Sequence, residues 1–281
     1  MLSFRSLRPA FFMRALLALA LVYNAALSWA QAPGKTEVLW LGQAATRITT
    51  PGGKVIVIDP WLIHNPKTPA AFKNLDALGK VDLILVTHAH TDHFEDAPAL
   101  ANKNNARIIS PQGLQAQLIS LNLVPESLAF RMGKGGTAMP FGPNSIKVTQ
   151  VRAEHDSELT WPNAAGKRET HAGGEPVGYI IEMENGFKIW HMGDTGLFGD
   201  MRLIAEMYHP DLVLAPIGGH FVMSPADAAL AMREWIRPKF VLPIHYGTTP
   251  QLAGTPAQFK AALGNSSVQM IVADPGQKVD F

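Results

Sequence analysis

The segment Val-Asp-Leu-Ile-Leu-Val-Thr-His-Ala-His-Thr-Asp-His-Phe, residues 81–94, constrains this chain more than any other. Leu83 to Val86 form a short apolar run of branched side chains, preceded by Asp82 and followed by polar residues, the pattern of a strand covered on both faces. Beyond Thr87, His88 and His90 stand two apart. In extended backbone their imidazoles point to the same side and can share one cation. Asp92 and His93 follow as the chain turns into a helix predicted from Phe94 to Asn102. Being adjacent, they project in different directions and can serve a second cation. Three imidazoles and a carboxylate within six residues are costly to desolvate without a metal, and borderline divalent ions such as zinc favour this donor set. The plainer alternative is a solvated polar turn that happens to hold histidines, and the spacing argues against it.

A chain of 281 residues with 47% hydrophobic content can bury a large core as one domain of the sandwich or α/β type. Its first thirty residues read differently from the rest. Arg5, Arg8 and Arg14 precede an apolar stretch from Ala15 to Leu27, and Ser28-Trp29-Ala30 supplies small residues for cleavage. This is the layout of a signal peptide over 1–30, with Gln31 as the expected mature start and a domain over 31–281; an uncleaved anchor is the alternative. The expected localisation is periplasmic or secreted, with no stable membrane association once the leader is removed. There is no cysteine, which excludes disulfides, a thiol nucleophile and a thiolate zinc site. Without the three leader arginines the chain carries 21 basic and 23 acidic residues, a net charge of −2. No Lys/Arg run is present, so nucleic acid is not an expected partner.

The remaining elements follow from pattern. Thr36–Gly42, Ala44–Thr49 and Lys54–Ile58 read as an antiparallel meander whose third strand delivers Asp59-Pro60-Trp61. Asp59 is either a carboxylate that orients a metal-bound imidazole or an acid closing a turn. Trp61 and His64 lie in a Pro- and Asn-punctuated loop and are weak substrate-contact candidates. A strand at 107–109, a helix from Gln112 to Leu121 and a strand at 146–151 continue the alternation, whereas Gly133-Lys134-Gly135-Gly136 lacks phosphate-loop spacing and reads as a turn. Residues 158–176 are polar and Gly-rich, predicted as a loop bordering the site with Trp161, Arg168 and His171 as possible contacts. Val177–Met183 and Phe187–His191 form a hairpin around Glu184-Asn185-Gly186, a type I′ signal. His191 is expected to face the layer beneath and is not counted as a ligand. Strands at 212–215 and 240–244, helices from Leu197, Pro225 and Pro256, and a last strand at 268–273 complete the chain.

The pattern His-x-His-x-Asp-His at 88–93 closely resembles the signature of the metallo-β-lactamase fold superfamily. Trp40-Leu41-Gly42, Asp59-Pro60-Trp61, Gly173-Gly174-Glu175-Pro176-Val177-Gly178, Gly193-Asp194-Thr195-Gly196-Leu197-Phe198, Pro216-Ile217-Gly218-Gly219 and Pro243-Ile244-His245-Tyr246-Gly247-Thr248 narrow the likeness. They resemble a group of metal-dependent hydrolases of this fold, related to the ascorbate-phosphate lactonases and more distantly to acyl-homoserine lactonases. The resemblance implies an α/β fold, a four-layer αββα sandwich, with metals at one edge between two central sheets. It assigns His88, His90 and His155 to one ion, Asp92, His93 and His245 to another, and Asp194 as the bridge between them. Two divalent ions, zinc by default with manganese or iron as alternatives, about 3.5–4 Å apart, would hold a hydroxide that attacks a small ester, lactone or phosphoester. Tyr246 is a candidate donor to the departing oxygen or a residue packed beside the ligand, and His220 is a candidate acid or substrate contact at the rim or a plain loop histidine. The competing expectations are an iron-dependent oxidative enzyme similar to sulfur dioxygenases, or a phosphodiesterase. A small-molecule substrate is the expected partner, and homo-oligomerisation is left open.

Overall fold

Alternation along the strands decides which layer each side chain joins. The computed structural model describes residues 34–281, so the expected leader lies outside the described residues. In the first sheet β1 (Glu37–Gly42), β2 (Ala45–Thr49), β3 (Val55–Ile58), β4 (Leu83–Leu85), β5 (Arg107–Ile109) and β6 (Ala129–Phe130) are joined at the β1 edge by β16 (Lys278–Asp280). The second sheet runs β7 (Thr137–Ala138), β8 (Lys147–Arg152), β11 (Val177–Glu182), β12 (Lys188–His191), β13 (Leu212–Pro216), β14 (Phe240–Ile244) and β15 (Gln269–Met270). Between β8 and β11, β9 (Glu158–Pro162) and β10 (Arg168–Ala172) form a separate hairpin.

Leu83 and Leu85 of β4 face the second sheet, meeting Tyr179, Leu212, Leu214 and Leu242 in the central core. Ile84 and Val86 point the other way, onto α1 (Thr91–Phe94), α2 (Ala97–Asn104) and α3 (Gln112–Ser120) through Phe94, Leu100, Leu114 and Leu118. The second sheet repeats this. Trp190, Val213 and Val241 cover its outer face against α4 (Met201–Tyr208), α5 (Pro225–Leu230) and α6 (Pro256–Leu263) through Met201, Ile204, Ala228 and Phe259. The result is the four-layer αββα sandwich that the resemblance implied. Each of these cores removes branched and aromatic side chains from water, worth about 1.5–3 kcal/mol per large side chain.

Both sheets share one plan. From β16 through β1 and β2 to β3 the pairings are antiparallel, and from β3 through β4 and β5 to β6 they are parallel. From β7 through β8 and β11 to β12 they are again antiparallel, and from β12 through β13 and β14 to β15 parallel. Parallel strands end at the same edge, so the loops after β3, β4, β12 and β14 gather there. In open α/β sheets such carboxyl ends are where ligands bind.

Several boundaries differ from expectation. The helix expected from Phe94 is split into α1 and α2, because Pro98 lacks the N–H that a continuous helix would bond to Phe94, whereas at the second position of a new helix it costs nothing. The segment 158–176 is largely the β9–β10 hairpin rather than a loop. Leu159 and Trp161 alternate toward α1, with Trp161 edge-on to Phe94 at 5.5 Å between ring centroids, and Asn163–Gly166 closes the turn. The turn between β11 and β12 is not type I′, since only Gly186 (φ +84°) among its residues is left-handed. The helix expected from Leu197 starts at Met201. Among the described residues no helix is long and apolar enough to cross a membrane.

Candidate metal centre

Two groups of donors form at this edge. His88, His90 and His155 each bring one ring nitrogen within 4.8 Å of the others, and one donor atom each of Asp92, His93, Asp194 and His245 does the same. His88 follows the last buried residues after β4, His90 caps α1 in extended conformation, and Asp92 and His93 ride on α1 itself. His155 lies past β8, Asp194 past β12, and His245 directly after β14. Asp194 touches both groups: its Oδ2 is 3.0 Å from His245 Nε2, 3.3 Å from His93 Nε2 and 3.6 Å from His155 Nε2.

Tight backbone geometry sets these positions. His245 is held left-handed (φ +55°) with its N–H donating to the Gln43 carbonyl at 3.0 Å, and a Cβ on Gly218 would meet the His245 carbonyl at 2.4 Å. Gly193 (φ +62°) lets Asp194 approach because a Cβ there would sit 2.7 Å from Thr87 Cβ. Glycine is required at both places.

The imidazoles are oriented from behind. Asp59 is fully buried and accepts from the Thr87 N–H and the Thr87 hydroxyl, both at 2.7 Å, and from His93 Nδ1 at 2.8 Å. Having given its only proton to Asp59, Thr87 Oγ1 accepts from His88 Nδ1 at 3.1 Å. His90 Nε2 donates to Glu158 at 3.1 Å, leaving its Nδ1 3.0 Å from His88 Nε2. In each case the far nitrogen carries the proton and a lone pair faces the other donors, the arrangement that metal ligands need.

Without a metal, protons compete for the same lone pairs. Burial drives the His88 pKa well below the ordinary histidine value, with the charge of His93 adding to it, and burial also lowers His155. Burial pushes His93 and His245 down as well, but Asp194 and its fellow carboxylates outweigh it, holding His93 well above the usual value and His245 at about 9. Burial raises the Asp194 and Asp92 carboxyls, and the neighbouring imidazolium charges bring both below the ordinary range. Such a cluster calls for positive charge, and the buried Asp194 Oδ1 has no hydrogen-bond partner within the protein. A divalent cation supplies both needs, so these residues fit the metals that the donor set suggests.

Of the other expected residues, His191 donates from Nε2 to the Ala44 carbonyl at 3.0 Å, accepts from the Gly193 N–H, and takes no place among the donors. Tyr246 is found packed. It does not line the cavity over the donors but tilts onto Trp40 at 5.4 Å and packs between two cores, where burial and Asp274 raise its hydroxyl to about 12. His220 is exposed on a left-handed turn (φ +60°) and also stays off the cavity wall; its ring meets the neighbouring Phe221, which does line it. Trp161 and Arg168 line a separate recess beside α1, and His64 pairs with Glu95 at 3.0 Å.

Gln43 was not foreseen. It is buried and left-handed (φ +51°), its Nε2 donates to Asp92 Oδ2 at 2.8 Å and lies 2.7 Å from His245 Nε2, and its Oε1 accepts from Thr248. The motif Trp40-Leu41-Gly42 stops one residue short of it. Glu158, Asp156, Phe221, Thr249 and Leu252 also line the cavity of about 360 Å3, and nothing in their local sequence marks them.

A four-layer sandwich carrying paired His/Asp donor groups at one sheet edge defines a metal-dependent hydrolase of the metallo-β-lactamase fold. The family model for a β-lactamase superfamily domain matches residues 37–245. A UPF0173 metal-dependent hydrolase from Cupriavidus necator is 69% identical over 250 residues, covering 88% of this chain and 86% of its own, and one from Rubrobacter xylanophilus is 42% identical, covering 88% and 97%. Among solved structures, Igni18, a metallo hydrolase from Ignicoccus hospitalis, is 30% identical with a TM-score of 0.74 and covers 88% of this chain and 98% of its own. The chain belongs to the UPF0173 metal-dependent hydrolases of the β-lactamase superfamily.

Proposed function

We propose that this protein is a two-metal hydrolase of small ester, lactone or phosphoester substrates. The observation that carries the proposal is Asp194, whose carboxylate reaches both donor groups while one of its oxygens stays buried and unpartnered. His88, His90 and His155 would hold one ion, Asp92, His93 and His245 the other, with Asp194 shared. When bound, such a pair supplies a hydroxide nucleophile near neutral pH and polarises the bond it attacks. The protein's own part is to hold that chemistry in place. Asp59, Thr87 and Glu158 keep three imidazoles in the ligating tautomer, and Gln43 steadies the Asp92 carboxylate beside His245. Zinc is the default occupant, with manganese and iron able to use the same ligands according to supply.

Elemental analysis of protein purified without added metal, beside hydrolysis assays before and after chelation, tests this reading. The expected result is about two divalent ions per chain, with hydrolysis lost on chelation and on Asp194→Ala while the fold is retained. One iron per chain with no hydrolysis would overturn it. Export belongs to the same proposal, supported by the arginine and apolar layout of residues 1–30. An intact mass beginning at Gln31 supports it, and a retained amino terminus refutes it.

A further inference from the structure

We infer that the substrate is a neutral carbonyl ester or lactone bearing an aryl or alkyl group, and that the site selects against anionic substrates, phosphoesters included. This rests on the hydrolytic reading above and narrows it.

A cavity of about 360 Å3 admits a small molecule rather than a polymer. Its lining is of two kinds. One is apolar, Leu252 and Phe221, the latter a residue 53% exposed. That exposure is built in. Gly219 (φ +74°) and His220 (φ +60°) are both left-handed, the Phe221 N–H turns back onto the Gly219 carbonyl at 2.7 Å, and the His220 ring stands edge-on to Phe221 at 4.4 Å between centroids. The turn presents a large apolar ring at the cavity in place of burying it in the core. An aryl or alkyl substituent laid on it gains the burial that the protein leaves unused.

The other kind is acidic. With Asp92 and Asp194 committed to the ions, Asp156 and Glu158 are the charges left to face a substrate. Glu158 is kept at the rim by its bond to His90. No lysine or arginine lines the cavity among the described residues. Two cations border an adjoining recess beside His155 and are already matched: Arg152 with Glu154 at 2.6 Å and Asp200 at 3.1 Å, Lys134 with Glu175 at 2.9 Å. The two divalent ions would bring four positive charges, which Asp59, Asp92, Asp194 and the hydroxide offset one for one, so Asp156 and Glu158 stand in excess, and no lysine or arginine among the described residues lines the cavity to clamp a phosphate or carboxylate.

The test uses two esters with one acyl group and para-substituted phenol leaving groups that differ in charge, 4-(carbamoylmethyl)phenyl butanoate and 4-(carboxymethyl)phenyl butanoate, with bis(4-nitrophenyl) phosphate as the phosphoester. For the metal-loaded protein the neutral ester should exceed its anionic partner by about tenfold or more in kcat/KM, and the gap should shrink as salt is raised. Asp156→Asn should narrow the gap about threefold. Phe221→Ala should raise KM for the neutral ester about tenfold and change kcat little, because the ring contacts a part of the substrate remote from the bond broken. Equal or faster turnover of the anionic ester, preference for the phosphodiester, or a gap indifferent to both salt and Asp156→Asn would overturn the inference. If none of the three substrates is hydrolysed, the hydrolytic reading is judged by the metal and chelation assays above. Calorimetric binding of the two matching anilides, to metal-loaded and chelator-treated protein, then decides the charge preference: tighter binding of the neutral anilide upholds it, and tighter binding of the anionic one sinks it.

Discussion

Asp59 shows how one buried carboxylate can set a metal site without touching the metal. Its two oxygens take three donors, and so dictate which nitrogen of His93 and, through Thr87, which nitrogen of His88 is bare. Asp59→Asn puts an amide donor where an acceptor is needed, either against His93 Nδ1 or against the Thr87 N–H. Metal affinity measured by chelator competition should fall about 10–100-fold with the fold retained. Affinity equal to that of the parent would mean that Asp59 merely closes its turn. In sequence Asp59 could be read either way, because a carboxylate before a proline looks the same in both roles. Gln43 could not be read at all, since its partners Asp92, His245 and Thr248 lie 49 to 205 residues away.

At the scale of elements, periodicity marked β1 to β5 and β11 to β14 to within a residue or two, while β16 went unforeseen. Lys278–Asp280 has no pattern of its own and becomes a strand only because β1 presents a free edge. Glu37 on β1 helps to hold it there, reaching Arg47 of β2 at 3.1 Å and Lys278 of β16 at 3.0 Å. Burial raises the Glu37 carboxyl, but Lys278, Arg47 and Thr49 together hold its pKa below the ordinary value. A depressed carboxylate contributes stability above its unfolded pKa, about 4.3, and loses it as pH falls through the folded value. Glu37→Gln should therefore cost about 1 kcal/mol at pH 7 and almost nothing at about pH 3, read from denaturant titrations at both. An equal loss at both values would point to packing instead. The two sheets are also tied by Tyr179. Its hydroxyl lies 2.9 Å from the Val86 carbonyl and 3.0 Å from that of Ile109, and accepts from Gln150 at 3.3 Å. Tyr179→Phe leaves these buried groups short of partners, and unfolding free energy should drop by about 1–3 kcal/mol.

For the molecule as a whole, the donors come from both halves: His88, His90, Asp92 and His93 from the segment after β4, and His155, Asp194 and His245 from the ends of strands in the second sheet. Bound ions would thus bridge the sandwich, and ligand saturation at a hundredfold over Kd adds about 2.7 kcal/mol. Chelation should lower Tm by several degrees and zinc should restore it. An unchanged Tm on verified metal loss would show that the halves are held by their core alone. The ligand types and their grouping at 88–93 were legible from the chain because a strand's period of two and a following helical turn are local geometry. Sequence pattern also determined the layering, since runs such as Leu83–Val86 must be covered on both faces. Asp194 as the bridge came from resemblance rather than local pattern, and tertiary structure alone decided that Gln43 and Glu158 join the site and that Tyr246 and His220 lie off the cavity lining. Those outcomes depend on where strands distant in sequence end relative to one another and on which way left-handed turns aim their side chains. No local periodicity encodes either.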